Sequence, residues 1–224
     1  MSTALADLHA EIAGCVRCPL AATRTTVVVG SGPHDARLML VGEAPGFHED
    51  QQGIPFVGAA GQLLDRLLGE IGLSRAEVFV ANVLKCRPPG NRDPDPAEID
   101  ACRGYLERQV ELVAPLVIGS LGNFATRLLS GRQVGITRVH GSPLRISVGT
   151  HRTVLYPLYH PAAALRTPAM MAALRDDLAR LPELFERAAR AAARPDPEPA
   201  PAAAPEREPV FAGAAPEPAQ LGLF

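Results

Sequence analysis

The sequence predicts an α/β protein with a central, mostly parallel sheet of about four strands. Three observations carry that prediction. Apolar runs at 38–41, 78–84, 116–118 and 154–158 have the length and composition of buried strands. Segments with helical spacing of apolar residues stand between them, which is how parallel strands joined by crossover helices read. Polar residues then follow the strand ends: Glu43, Asn82, Asn91 and His160 each lie at or just past one. All strands of a parallel sheet end on one side, so these four are expected to converge on one cleft.

Taken in order, Leu5, Leu8 and Ile12 mark a short amphipathic helix that stops at Gly14. Residues 27–29 are a candidate edge strand. The strand at 38–41 ends in the turn Gly42-Glu43-Ala44-Pro45-Gly46, whose glycines and proline impose a tight backbone path. A helix from about residue 60 places Leu63, Leu64, Leu67, Leu68 and Ile71 on one face and ends at Gly72. The strand at 78–84 runs into a loop at 85–94, where three prolines and a glycine forbid a regular element. Asp95-Pro96 opens a long helix, with proline at an early position where its missing N–H costs nothing. Helix 123–129 follows the third strand, and 131–147 carries no clear pattern. Pro157 is expected to end or bulge the last strand, and Pro182 to kink or break a closing helix at 168–193.

Beyond residue 193 the chain changes character. Residues 194–224 form a Pro/Ala/Glu tail too poor in apolar side chains to build a core, so the folded domain is expected at 1–193. From Pro195 onward Asp196, Glu198, Glu206, Glu208 and Glu217 oppose only Arg207. Of the formal net charge of -2, the residues from Pro195 therefore hold -4 and those before it +2. A mildly positive body permits a nucleic-acid partner without demanding one. The N-terminal segment carries Asp7 and Glu11 and no long apolar core, so neither a signal peptide nor a membrane span is expected. The expected compartment is the cytoplasm, where the four cysteines stay out of disulfides.

Those cysteines are Cys15, Cys18, Cys86 and Cys102, and only the first pair has metal-ligand spacing by itself. Four thiolates suit a zinc ion or an iron–sulfur cluster equally, and spacing does not separate the two.

The segments GEAPGFHED, PFVGAAGQLL, NVLKCRPPGNRDP and HPAAALR resemble, in this order, the signature segments of the family-4, iron–sulfur uracil-DNA glycosylases. The resemblance runs from the Cys15/Cys18 pair to about Arg166. It implies a three-layer α/β/α sandwich, a [4Fe–4S] cluster on Cys15, Cys18, Cys86 and Cys102, and removal of uracil from DNA by a monomeric enzyme. By the same resemblance His160 stabilises the leaving uracil anion at O2, and Glu43, between Gly42 and Ala44, directs the attacking water. Asn82 reads uracil O4 and N3–H, and Phe56 stacks on the flipped base. Glu49 crowds the C5 methyl of thymine, Asn91 supports the site, and Arg166 lies near the opened strand. Lys85, the only lysine, abuts a cysteine of the cluster. It is poorly placed to act as the amine nucleophile of a strand-nicking enzyme, so hydrolysis leaving an abasic site is expected. The alternative is a non-catalytic or covalently trapping iron–sulfur protein that binds uracil-DNA, with His140 of Arg138-Val139-His140 as the trapping residue.

The last residues, Gln220-Leu221-Gly222-Leu223-Phe224, resemble the short peptide by which bacterial DNA enzymes dock on the β sliding clamp. A flexible terminus is where a tethered docking peptide gains effective concentration.

Overall fold

The computed structural model describes residues 3–192. The tail and its clamp-like segment, with Gln220, Leu221, Leu223 and Phe224, lie outside the described residues. Among the described residues no helix is long and apolar enough to cross a membrane.

Helix α1 (Thr3–Ala13) comes first, then β1 (Leu38–Gly42), α2 (Phe47–Gln52), α3 (Ala59–Glu70), β2 (Val78–Asn82) and α4 (Pro96–Val113). Strand β3 (Val117–Leu121), α5 (Gly122–Ser130), α6 (Ile136–Val139), β4 (Leu144–Val148) and β5 (His151–Leu158) follow, then α7 (Pro161–Ala164), α8 (Pro168–Ala179) and α9 (Leu181–Ala192). The strand order is β2-β1-β3-β5-β4. Strands β2, β1, β3 and β5 are mutually parallel, and β4 pairs antiparallel with β5.

The alternation of side chains along each strand builds two cores. Leu38, Leu40, Val78, Val80, Tyr156 and Leu158 face one layer, where Leu63, Leu64, Leu67 and Leu68 of α3 pack with Leu174 of α8 and Phe185 of α9. Met39, Val41, Phe79, Ala81, Ile118 and Leu155 face the other, filled by Leu5, Leu8 and Ile12 of α1 and by Leu106 and Val110 of α4. Strands buried on both faces are what parallel sheets require. Helix α4 starts on a capping interaction, the Asp95 amide donating to Glu98 Oε2 at 2.9 Å. Arg92 in turn donates to both Glu98 oxygens, at 2.6 and 3.0 Å, which fixes the end of the proline-rich loop.

Three expectations change. The sheet has a fifth strand, because β4 forms inside the stretch at 131–147 that shows no clear pattern. Residues 27–29 do not pair as a strand; the Val28 amide donates to the Lys85 carbonyl at 2.8 Å, and Ser31 makes an isolated bridge to Val80. Pro157 neither ends nor bulges β5. Pairing with β4 stops at Leu155, so the missing N–H of Pro157 falls beyond that ladder, and its carbonyl accepts from the Gly141 amide at 2.9 Å. Pro182 does break the closing helix, into α8 and α9.

Neighbouring β1 sends its chain to β2 on one side, while β3 lies on the other. That is a topological switch point, and the crevice past the carboxyl ends of these strands is where such sheets bind ligands.

Candidate active site

A cavity of about 420 Å³ opens at that edge, lined by Glu43, Ala44, Pro45, Gly46, Glu49, Phe56, Ala60, Asn82, Pro88, Asn91, Arg92, His160 and Ala162. Its volume is that of a small-molecule site. Every residue expected at the strand ends is therefore on one wall system, joined by Glu49 and Phe56. Arg166 does not join them: α7 ends just before it and leaves its side chain exposed, outside the lining. Gly42 contributes by what it lacks. A Cβ there would sit 2.4 Å from Asn82 Oδ1 and 2.8 Å from Phe56 Cζ, so only a bare Cα lets both residues reach the cavity.

Glu43 is held by the extension of the β1–β2 ladder past the strand ends. The Val83 amide donates to the Gly42 carbonyl at 2.9 Å and the Leu84 amide to the Glu43 carbonyl at 3.0 Å. Burial, helped by the nearby Asp93 carboxylate, raises the pKa of Glu43 above the usual carboxylate value.

Asn82 closes β2. Its side-chain Oδ1 is buried and has no hydrogen-bond partner among the described residues. A buried orphan acceptor costs on the order of 1–3 kcal/mol, so an N–H brought by a ligand would be well received there. The Asn82 backbone is held by the fully buried Lys85 ammonium, which donates to its carbonyl at 2.7 Å and to Gln109 Oε1 at 2.6 Å.

His160 caps α7. Its Nδ1 accepts from the Ala162 amide at 3.1 Å, so the neutral ring carries its proton on Nε2. Burial lowers its pKa to about 4, against a smaller opposing pull from Glu49. At neutral pH His160 is thus an uncharged N–H donor. Gly122, at φ 89°, makes room for it, since a Cβ there would meet His160 Cβ at 3.2 Å.

Phe56 faces His160, ring centroids 5.8 Å apart and 30° from parallel. Its backbone adopts φ 56°, a left-handed conformation that is rare for an aromatic residue. Two charged side chains hold that turn. The Glu49 carboxylate accepts from the Val57 and Gly58 amides at 3.0 and 3.1 Å, at the start of α3. The Arg75 guanidinium donates to the carbonyls of Pro55 and Phe56. Gly61 lets α3 press against the same turn, since a Cβ there would fall 1.6 Å from the Phe56 carbonyl oxygen. Of these supports Gly61 had a signal in the sequence, a glycine inside a helical pattern; Arg75 had none.

Asn91 also takes a left-handed conformation, φ 55°, after Gly90 at φ 65°. Its Oδ1 accepts from Arg87 Nε at 2.7 Å. His140 stands apart from the cavity lining. Its Nδ1 pairs with Asp177 Oδ2 at 2.7 Å and its ring packs on Tyr159 at 4.5 Å, so it is held as a strut.

On the other side of the Lys85 segment, Cys15, Cys18, Cys86 and Cys102 line one further pocket with Arg17, Arg24, Lys85 and Tyr105. Arg24 donates to Cys86 Sγ at 3.3 Å, and the Arg17 amide to Cys15 Sγ at 3.5 Å. As free thiols, Cys86 and Cys102 are pushed up in pKa by burial, while Arg24 beside the first and Lys85 beside the second pull the other way. Among the described residues no group of three or more His, Cys, Asp or Glu side chains is disposed around a single metal ion. The thiols border a shared pocket instead.

A carboxylate, a buried amide oxygen, an aromatic ring and a neutral histidine thus line one strand-end cavity. Residues 29–184 match the family model of the uracil DNA glycosylase superfamily. The chain is 42% identical over 185 residues to the type-4 uracil-DNA glycosylase of Sulfurisphaera tokodaii, covering 80% of this chain and 84% of that one. It is likewise 42% identical to the type-4 enzyme of Archaeoglobus fulgidus, over 80% of this chain and 92% of that one. Against the type-4 enzyme of Thermotoga maritima it is 46% identical, over 68% and 78% of the two chains. The chain belongs to the uracil DNA glycosylase superfamily and, within it, to the type-4 enzymes.

Proposed function

We propose that the cavity receives a uracil flipped out of DNA and that the enzyme hydrolyses its N-glycosidic bond, releasing uracil and leaving an abasic site. The observation that carries this reading is the buried, unpartnered Asn82 Oδ1 on the cavity wall. Uracil offers it N3–H, and the Asn82 amide group answers O4. Cytosine presents the opposite donor and acceptor pattern, so it would leave the buried oxygen facing another acceptor. Phe56 supplies the stacking face for the extruded base.

Breaking the bond builds positive charge on the sugar and negative charge on uracil O2. His160, neutral and protonated on Nε2, donates to O2 as that charge grows, and its burial makes the interaction stronger than in water. Glu43 accepts a proton from the water that attacks C1′, and its carboxylate offsets the sugar's cationic character. Its raised pKa makes it a better base. Glu49, pinned by two amides, is a fixed wall where the C5 methyl of thymine would go. Asn91 supports the loop at the cavity mouth, and Arg166, outside it, is available to the phosphates.

The four-cysteine pocket fits an iron–sulfur cluster by its donor set, with Cys15, Cys18, Cys86 and Cys102 as ligands. N–H donors directed at the sulfurs, from Arg24 and the Arg17 amide, are the interactions that tune such clusters. Bound there, a [4Fe–4S] cluster would tie α1, the 85–94 loop and α4 together. The Lys85 segment would pass that order to Asn82. The enzyme acts in the cytoplasm as a monomer, and residues 220–224 dock it on the sliding clamp. Deletion of those five residues should abolish clamp binding; unchanged binding would remove that part.

The direct test is uracil release from uracil-containing single- and double-stranded DNA, with Glu43→Ala as control. Release that needs Glu43 supports the reading. Binding of uracil-DNA without release would indicate a non-catalytic protein.

A further inference from the structure

Val16, Phe47, Ile54 and Leu165 are the large hydrophobic side chains left most exposed among the described residues. The last three lie in segments that build the cavity: Phe47 follows Gly46, Ile54 precedes Phe56 by two, and Leu165 ends the α7 turn that starts at His160. Single exposed hydrophobics usually mean little. Phe47 differs because its ring is held in place from two directions and tied to the cavity wall.

Phe47 is 53% exposed. The Arg87 guanidinium carbon stands 5.2 Å from its centroid, a cation–π contact. His48 meets it edge-on, centroids 5.5 Å apart at 78°, and His48 itself lies at Gly58, where a Cβ would touch its Cδ2 at 3.7 Å. Arg87 also donates from Nε to Asn91 Oδ1 at 2.7 Å, and Asn91 lines the cavity. An open aromatic surface is thus fixed at the cavity rim, with a cation alongside.

We propose that Phe47 is a second stacking platform, for the base next to the flipped uracil in single-stranded DNA. The inference rests on the reading of the cavity as the uracil site. With uracil seated there, one sugar-phosphate link ties its neighbour to it, so that neighbour lies at the cavity rim. Phe47 is one residue, about 3.8 Å between Cα atoms, from a cavity-lining glycine. A base in an open strand has lost its stacking partner, and an exposed aromatic ring restores it without regard to sequence. Arg87 complements the phosphate that accompanies that base. In a duplex the neighbour is already paired with the complementary strand and stacked within the helix, so the platform favours single strands.

The test uses the full chain and single-stranded oligonucleotides carrying 2′-fluoro-2′-deoxyuridine, whose glycosidic bond resists cleavage, with 2-aminopurine on its 5′ or 3′ side. The wild-type protein should quench the fluorophore on one of the two sides. Phe47→Ala should abolish that quenching and weaken binding about tenfold, or about 1.4 kcal/mol; Phe47→Trp should keep both. Inhibition by free uracil should be the same in wild type and Phe47→Ala. Wild-type quenching and affinity in Phe47→Ala would overturn the platform. So would a matching loss of uracil inhibition, since Phe47 would then be shaping the cavity itself. If free uracil fails to inhibit the wild type, the reading of the cavity falls with it; the other outcomes leave that reading intact.

Discussion

His160 accepts a hydrogen bond from the Ala162 amide, two residues ahead of it, through Nδ1 at 3.1 Å. This contact decides the tautomer of the ring before any substrate arrives, and burial keeps the ring uncharged. The histidine therefore works as a preset N–H donor. In the proposed mechanism, replacing it with alanine removes one donor to the developing O2 anion, and single donors of this kind are worth about 10²–10³ in rate. His160→Ala should lose that much in kcat, measured by single-turnover uracil release, with substrate affinity changed far less.

The same residue should leave a mark on stability. Its folded pKa of about 4 lies below the ordinary histidine value of 6.5. Between those values the unfolded chain binds more protons than the folded one, so stability rises with pH across that window. The contribution is complete above about 6.5 and is lost as pH falls towards 4. In denaturant titrations at pH 7 and 4.5 the wild type should lose more stability on acidification than His160→Gln does. Parallel pH dependences would contradict the assignment.

Activity should have its own acid limb, set by Glu43. Burial first and the Asp93 charge second raise its pKa, and in the proposed mechanism the ionised form is the active one. kcat/KM should therefore climb with pH through a midpoint above the usual carboxylate range. Asp93→Asn removes the like charge, so the midpoint should move to lower pH while the plateau stays close to wild type. A shift upward would mean that the limb belongs to another group.

Gly42→Ala tests the close approach at the heart of the site. The added methyl would meet Asn82 Oδ1 and the Phe56 ring at 2.4 and 2.8 Å, and one of them must move. Misplacement on the scale of an ångström costs about 10² in rate. Uracil release should fall at least that far, whereas the melting temperature should fall only slightly if the ring moves into the cavity. Wild-type turnover would show that the contact is slack.

Most of the site was legible because strand ends are legible. Glu43, Asn82 and His160 each follow an apolar run, and parallel strands put their ends together whatever the details of the turns. What could not be read depends on contacts between distant segments. Nothing near Arg75 shows that its guanidinium will clamp Phe56 in a left-handed turn, and Gly122 makes room for a residue nearly forty positions on. Strand β4 was missed for a different reason. As an edge strand it is only half buried, and its alternation, Leu144-Arg145-Ile146-Ser147-Val148, lies within a stretch whose other residues have no period. Pro157 misled because its cost depends on whether β4 extends past it.

The four-cysteine pocket predicts a structural role separable from chemistry. Cys102→Ala removes one of four thiols from a largely buried setting. Anaerobically purified wild type should be brown and carry iron, and the variant should lose both. Its melting temperature should drop if α1, the 85–94 loop and α4 share the cluster proposed as their anchor. Zinc in place of iron in the wild-type protein would assign the pocket to a different metal.

Lys85 bears on what happens after the base is gone. Burial lowers its pKa to about 8, which makes it more nucleophilic than an ordinary lysine. Yet it is fully buried, its Nζ donates to the Asn82 carbonyl and to Gln109 Oε1, and it is not among the residues that line the cavity. No sugar carbon can reach it without unfolding that network. The abasic product should therefore stay intact: incubation with uracil-DNA should give no strand break before alkali or heat, and borohydride should trap no protein–DNA adduct. Lys85→Met should leave that outcome unchanged while lowering uracil release, because the Asn82 carbonyl loses its donor and the reader of the base loses its support. A borohydride adduct that disappears in Lys85→Met would reverse the assignment and make Lys85 a nucleophile.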